Sequence, residues 1–117
     1  RLLFCLILLL TAGPAAAAPL PIRMVVVTTF QHGGFGEMTA WMKDTPKELA
    51  FPAGDLPLRY DPARQLLVVS TGMGSPRAAA SVMALGTDAR FDLRKSYWLV
   101  PAIAGVDPQK ASLGSAA

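Results

Sequence analysis

A buried strand that runs directly into a glycine turn and a helix is the feature that most constrains this chain. Residues 65–71, Gln-Leu-Leu-Val-Val-Ser-Thr, are largely apolar, which favours a strand buried on both faces of a sheet. The Gly-Met-Gly turn at 72–74 follows, with Ser75 as the predicted N-cap of an alanine-rich helix that ends at Gly86. This order of elements indicates an α/β fold with parallel strands.

The rest of the chain supplies further elements of the same kind. Residues 22–30 form a β-branched run and are interpreted as the first buried strand. The other predicted elements, in chain order, are a glycine-rich loop over 31–36, a short helix over 37–43, a strand over 56–60, a polar connector over 90–95 and an apolar strand over 96–106. A parallel sheet needs helices on both faces, and only two good candidates are present, so we expect the sheet to be incomplete within these residues.

The first 18 residues are interpreted as a secretory signal peptide. Arg1 precedes the apolar run 2–10, and the alanines at 15–18 supply the small residues of a cleavage site. The run is shorter than the roughly 20 apolar residues that a spanning helix needs. We therefore expect a mature domain over residues 19–117 that is exported, periplasmic or extracellular, and has no integral membrane span.

Charge and cysteine content exclude several classes of protein. The chain has 11 Lys and Arg, 8 Asp and Glu and a formal net charge of +3, without clustering, so we expect no nucleic-acid partner. The single cysteine, Cys5, lies in the predicted signal peptide, which excludes a disulfide and a cysteine-based zinc site from the mature part. With His32 as the one histidine, no Ser/His/Asp set or metal-spaced cluster can be assembled, so we expect no metal and no cofactor.

The turn at 72–74 is the first candidate for ligand binding. Gly72 and Gly74 lie between a strand and a helix N-terminus, where glycines allow close approach and N–H groups favour a phosphate, a ribose hydroxyl or a carboxylate. A tight strand-to-helix turn explains the same two glycines without any ligand. Neither the dinucleotide fingerprint nor the P-loop is complete here.

The loop over 31–37 is the second candidate, because it also leaves the carboxyl end of a strand. Gly33 and Gly34 are candidate binding residues, and His32 and Glu37 are candidates for a general acid or base. A solvated loop histidine and an acid favoured at a helix N-terminus are the simpler explanations for the last two.

Other residues extend this candidate site or the core. Ala104 and Gly105 close the last predicted strand, where they either present backbone amides to the same crevice or only permit helix packing. Arg77 is either a partner for an anion or an ordinary surface arginine. The aromatic side chains predicted to lie in the core, because their neighbours are apolar, are Trp41, Phe91, Tyr97 and Trp98.

Several short segments of the chain form a combination that is specific as a set. They are Phe-Pro-Ala-Gly at 51–54, Thr-Gly-Met-Gly at 71–74, Arg-Ala-Ala-Ala-Ser at 77–81, and the block from Phe-Asp-Leu at 91–93 through Tyr-Trp-Leu-Val at 97–100 to Ile-Ala-Gly-Val-Asp-Pro at 103–108. Together they resemble the N-terminal part of the purine nucleoside permease family, which is similar to nucleoside phosphorylases and nucleosidases. The resemblance implies a three-layer α/β, nucleoside-phosphorylase-like fold with a central mixed sheet, which a C-terminal portion would complete.

The resemblance also implies a site and a ligand. The loop 31–37, Gly72 and Gly74 would approach phosphate or ribose, and Ala104 and Gly105 would approach the nucleoside. The loop lacks the arginine that phosphorylases use for phosphate, which disfavours phosphorolysis. The three segments are expected to meet at one rim of the sheet.

The resemblance and the candidate site together lead to two alternative hypotheses for the function. The first is an exported purine-nucleoside-binding protein that assists uptake, with a membrane transporter as a partner. The alternative is a nucleosidase or phosphorylase that cleaves the N-glycosidic bond, with Glu37 positioning water or phosphate while the amides of Gly72 and Gly74 hold the sugar. The binding role is favoured because the residues assemble no complete catalytic set.

Overall fold

A computed structural model describes residues 17–30, 36–42, 47–101, 107–110 and 112. In chain order its elements are β1 (Leu20–Pro21), β2 (Met24–Thr28), α1 (Glu37–Trp41), β3 (Lys47–Leu49), β4 (Leu58–Asp61), β5 (Leu66–Ser70), α2 (Ser75–Gly86), β6 (Phe91–Asp92) and β7 (Tyr97–Leu99). The predicted signal peptide falls almost wholly outside the described residues, as do His32, Gly33, Gly34, Ala104 and Gly105.

The central element is a mixed five-stranded sheet in the order β3-β4-β5-β2-β7. Strands β5, β2 and β7 are parallel, with Val25 opposite both Leu67 and Trp98. Strands β3 and β4 add an antiparallel edge beside β5. A second, two-stranded parallel sheet joins β1 to β6. The predicted α/β class with a mixed sheet is therefore confirmed.

The first face of this sheet is covered by α2. Successive side chains of a strand point to opposite faces, so Val25 and Val27 of β2 lie on the same face as Leu67 and Val69 of β5. These four side chains are buried in one cluster with Leu85 of α2. Burying a valine or leucine side chain contributes about 1.5–3 kcal/mol, so this cluster is a main source of stability.

The opposite face is covered by α1. Val26 of β2 and Val68 of β5 are paired in the sheet and are buried with Met38 and Met42. Trp41 is partly buried and packs against this second cluster, so its predicted core position is confirmed in part. The two helices thus lie on opposite faces of the parallel strands. Among the residues described, neither helix combines the length and the apolar character that crossing a membrane requires.

The start of α2 differs from the prediction. Ser75 is not the N-cap but the first helical residue, and Gly74 occupies the cap position with φ +100° and no side-chain cap hydrogen bond. The physical reason is that the chain turns into the helix through a backbone conformation that glycine adopts readily and serine does not. Ser75 therefore lies one position beyond the N-cap, where its hydroxyl does not cap the helix.

The predicted core positions of two aromatic residues are also wrong. Tyr97 is 76% exposed and Trp98 is 42% exposed, because β7 is an edge strand that pairs with β2 alone in the described part of the sheet. Phe91 is buried as predicted. Phe91 belongs to β6. The segment 90–95, predicted to be a polar connector, therefore contains a short strand.

Candidate functional site

A cavity of about 480 Å³ opens where β2 and β5 end. Both strands are parallel, so the residues that follow them reach the same edge of the sheet. The described residues that line the cavity come from these two strand ends, from the loop before β4 and from α2: Thr29, Phe30, Asp55, Leu56, Gly72, Met73 and Arg77. Its volume lies within the roughly 300–1,000 Å³ of small-molecule sites.

Gly72 is required by the geometry of this cavity. Its φ is +70°, and a Cβ added there would lie 2.7 Å from Oδ2 of Asp55 and 3.4 Å from Cδ of Arg77. Any side chain would therefore displace the carboxylate that lies over the Gly72 backbone.

Gly74 is needed for a different reason. A Cβ there would meet only Cδ of Pro76, at 3.9 Å, so its φ of +100° is what demands glycine. Gly74 is not among the described residues that line the cavity, whereas Gly72 is. Both glycines shape the strand-to-helix turn, and contact of either with a ligand stays a prediction.

Asp55 and Arg77 form an ion pair on the cavity wall. Nη1 of Arg77 donates to both Oδ1 and Oδ2 of Asp55, each at 3.1 Å. The side chains are 39% and 63% exposed, so both reach the solvent that fills the cavity. The sequence does not single out Asp55, since nothing in its local sequence indicates a partner 22 residues away.

Glu37 lies beside the cavity and holds the end of β2. Its Oε2 accepts hydrogen bonds from the backbone N–H of Thr29 at 2.9 Å, from the backbone N–H of Phe30 at 3.3 Å and from Oγ1 of Thr29 at 3.4 Å. Glu37 is also the first residue of α1, where a negative charge is favourable. These hydrogen bonds give Glu37 a structural role at the end of β2. Its catalytic role stays a prediction.

Buried hydroxyl groups tie β2 and β5 together below the cavity. The backbone N–H of Thr71 donates to the Thr28 carbonyl at 2.9 Å, and Oγ1 of Thr71 lies 3.4 Å from the same carbonyl oxygen, within hydrogen-bonding distance. Oγ1 of Thr28 donates to the Val69 carbonyl at 3.4 Å. Oγ of Ser70 is buried without a hydrogen-bond partner among the described residues. Sequence analysis assigned no role to these hydroxyls.

The structure brings together part of the predicted site. Gly72, Arg77 and the end of β2 share one cavity, and Glu37 is hydrogen-bonded to two of the residues that line it. Gly33, Gly34, Ala104 and Gly105 lie outside the described residues. The meeting of all three predicted segments at one rim therefore stays a prediction.

Comparison with known proteins confirms the family resemblance that the sequence indicates. The family model of the purine nucleoside permeases (NUP) matches residues 21–117, and the chain belongs to this family. A probable purine nucleoside permease of Schizosaccharomyces pombe is 47% identical over 47 residues, which are 40% of this chain and 14% of that protein. A purine nucleoside permease of Candida albicans is 44% identical over 46 residues, which are 39% of this chain and 11% of that protein. No solved structure matches the chain.

Proposed function

We propose that the protein is an exported purine-nucleoside-binding protein that assists nucleoside uptake. The observation that carries the proposal is the cavity of about 480 Å³ at the ends of two parallel strands. Its described lining combines polar groups, such as the Thr29 hydroxyl and the Asp55 carboxylate, with the apolar side chains of Phe30, Leu56 and Met73. A nucleoside needs both kinds of surface, since its sugar is polar and its base has two flat aromatic faces.

Membership of the purine nucleoside permease family supports the same ligand. The relatives in Schizosaccharomyces pombe and Candida albicans are named as purine nucleoside permeases, and we carry that ligand class to this chain. The half-exposed ring of Phe30 offers a surface on which a purine can stack. Phosphate as a second ligand is part of the alternative function below.

Export and transfer are the second part of the proposal. Residues 1–18 would act as the signal peptide, which takes the protein to the periplasm or outside the cell. A membrane transporter would then receive the captured nucleoside. Cell fractionation followed by N-terminal sequencing of the mature protein tests this part. Recovery in the cytoplasm with residues 1–18 retained would contradict export.

An enzyme that cleaves the N-glycosidic bond is the alternative function, and the position of Glu37 favours it. Its carboxylate is hydrogen-bonded to Thr29 and Phe30, which line the cavity. A carboxylate close to a bound sugar would stabilise the positive charge that develops as the base leaves. Glu37 would then position water or phosphate, and the amides of Gly72 and Gly74 would hold the sugar.

One experiment separates these functions. The purified full-length protein is incubated with inosine or adenosine, with and without phosphate, while calorimetry records binding and chromatography records free base. Binding without turnover supports capture. Free base without phosphate supports a nucleosidase, and free base only with phosphate supports a phosphorylase. Absence of both binding and turnover would contradict the two functions together.

We also infer a three-layer, nucleoside-phosphorylase-like fold for the complete domain. Helices on opposite faces of parallel strands support this inference. An experimental structure of the full-length protein tests it, and a sheet that is left uncovered on one face would contradict it.

A further inference from the structure

We propose that Asp55 makes the cavity selective for uncharged nucleosides over phosphorylated ligands and free phosphate. The inference rests on the proposed function and adds to it the charge of the ligand and the residue that selects it. Three observations carry it: the charge balance of the cavity wall, the position of the Asp55 carboxylate over Gly72, and the capacity of that carboxylate to accept further hydrogen bonds.

The charge balance of the cavity wall disfavours an anion. Among the described lining residues, Asp55 and Arg77 are the two that carry a charge, and they are paired with each other. A phosphate that binds Arg77 must break both hydrogen bonds to Asp55 and then lie beside its carboxylate. The carboxylate of Glu37, held next to the cavity by Thr29 and Phe30, adds a second negative charge nearby. Like charges repel, so each of these two carboxylates disfavours a phosphate bound at Arg77.

The Asp55 carboxylate also lies where an anionic ligand would approach the turn. A glycine turn before a helix offers N–H groups and a positive dipole end to a negative group. Here Oδ2 of Asp55 lies only 2.7 Å from the position of a Cβ on Gly72, so a carboxylate of the chain already covers that turn. The absence of a side chain on Gly72 is what makes this approach possible.

Asp55 can at the same time recognise the sugar of a nucleoside. A carboxylate has about four lone-pair sites, and Arg77 uses one on each oxygen. The side chain is 39% exposed, so its remaining acceptor sites are accessible from the cavity. Two neighbouring ribose hydroxyls can donate to the two oxygens, whereas a phosphate places additional negative charge beside the carboxylate. The same carboxylate thus binds hydroxyls and repels phosphate.

The test compares ligands that differ in charge. Calorimetry on the full-length protein measures Kd for inosine, inosine 5′-monophosphate and inorganic phosphate. The wild-type protein is expected to bind inosine at least about tenfold more tightly than the monophosphate. Asp55→Asn removes the charge and keeps the shape, so inosine is expected to bind about tenfold more weakly, since the lost hydrogen bonds were to a charged group. Inorganic phosphate is expected to bind more tightly, since Arg77 is released, and the preference for inosine over its monophosphate is expected to shrink.

A matched control and a second variant accompany this test. Glu48→Gln breaks an exposed ion pair with Arg59, at 2.7 Å between β3 and β4, and neither residue lines the cavity. It is expected to leave all three Kd values unchanged. Arg77→Gln leaves Asp55 unpaired, so discrimination against the phosphate ligands is expected to increase. This variant keeps the test valid if circular dichroism shows that Asp55→Asn does not fold.

The results that would overturn the proposal differ from those that would overturn the proposed function. Equal affinity of the wild-type protein for inosine and its monophosphate contradicts selection by charge. An unchanged ratio of the two Kd values in Asp55→Asn or Arg77→Gln contradicts the role of Asp55. In both cases nucleoside binding itself stands. If the wild-type protein binds no nucleoside, the proposed function fails, and this inference fails with it.

Discussion

Glu37, the first residue of α1, accepts a hydrogen bond from the backbone N–H of Thr29, the first residue after β2, at 2.9 Å. The same carboxylate oxygen accepts a second backbone hydrogen bond from Phe30. One acidic side chain therefore fixes both the end of a central strand and the start of the helix that covers it. Because Thr29 and Phe30 line the cavity, the shape of the cavity depends on this contact.

Replacing Glu37 tests this structural role. Glu37→Ala is expected to lower the free energy of unfolding by about 1–2 kcal/mol, because two backbone N–H groups lose a charged acceptor. Urea denaturation measures the change. The control Glu48→Ala removes only an exposed ion pair, so its effect is expected to stay within about 0.5 kcal/mol. Equal stability of Glu37→Ala and the wild-type protein would show that the carboxylate does not hold the strand end.

Gly72→Ala is expected to destabilise the protein and to disturb the ion pair at the cavity. Alanine at φ +70° costs about 1–2 kcal/mol, and its methyl group would lie 2.7 Å from Oδ2 of Asp55. Urea denaturation measures the loss. The control Gly86→Ala, at the end of α2, has no atom within 4 Å of the added methyl group and is expected to be neutral or stabilising by up to about 1 kcal/mol. Equal stability of the two variants would contradict the strain assigned to Gly72.

The sequence predicts the two central parallel strands and the long helix of this fold, and it misses the two-residue strands β1 and β6. Strands β2 and β5 and helix α2 lie within two residues of their predicted ends, because their apolar runs and flanking glycines are local signals. Strands β1 and β6 have two residues each, and their pairing joins positions about 70 residues apart, as with Leu20 and Phe91. No local pattern specifies such a strand, because its backbone hydrogen bonds depend on the tertiary fold.

The candidate site, like the fold, is predicted from the sequence only where its features are local. The glycine turn and the loop before α1 are visible in the sequence because glycines and an acid at a helix start are local features. The partnership of Asp55 with Arg77 is not visible, since it depends on the loop before β4 lying against α2. The exposure of Tyr97 and Trp98 is likewise set by the edge position of β7, which an apolar run cannot reveal.

The buried face of the sheet makes a direct prediction about stability. Leu67 of β5 is fully buried in the cluster that includes Leu85 of α2, so Leu67→Ala is expected to lower the free energy of unfolding by about 3–5 kcal/mol through lost burial and the cavity left behind. Thermal and urea denaturation measure the change. Met83 lies on the exposed side of α2, and Met83→Ala is expected to change stability by less than about 0.5 kcal/mol. A loss below about 1 kcal/mol for Leu67→Ala would contradict the two-cluster core.

The pKa of Asp92 provides a test of the segment around β6. A side-chain hydrogen bond from Arg94, together with a backbone hydrogen bond from the same residue, lowers the pKa of this carboxyl from 3.8 to about 2. Because the folded-state pKa is depressed, the stabilisation is present above pH 3.8 and is lost as the pH falls through about 2. NMR titration of the Asp92 carboxyl carbon measures the value directly.

Two variants check the cause of that shift. Arg94→Gln is expected to raise the pKa of Asp92 toward 3.8, because it removes the hydrogen bonds of 2.9 and 2.8 Å that the guanidinium donates. Arg64→Gln removes a different pair and is expected to raise the pKa of Asp61 while leaving that of Asp92 unchanged. A pKa of Asp92 that stays near 2 in Arg94→Gln would assign the shift to the backbone instead of the guanidinium. A value near 3.8 in the wild-type protein would show that the Asp92–Arg94 contact does not persist in solution.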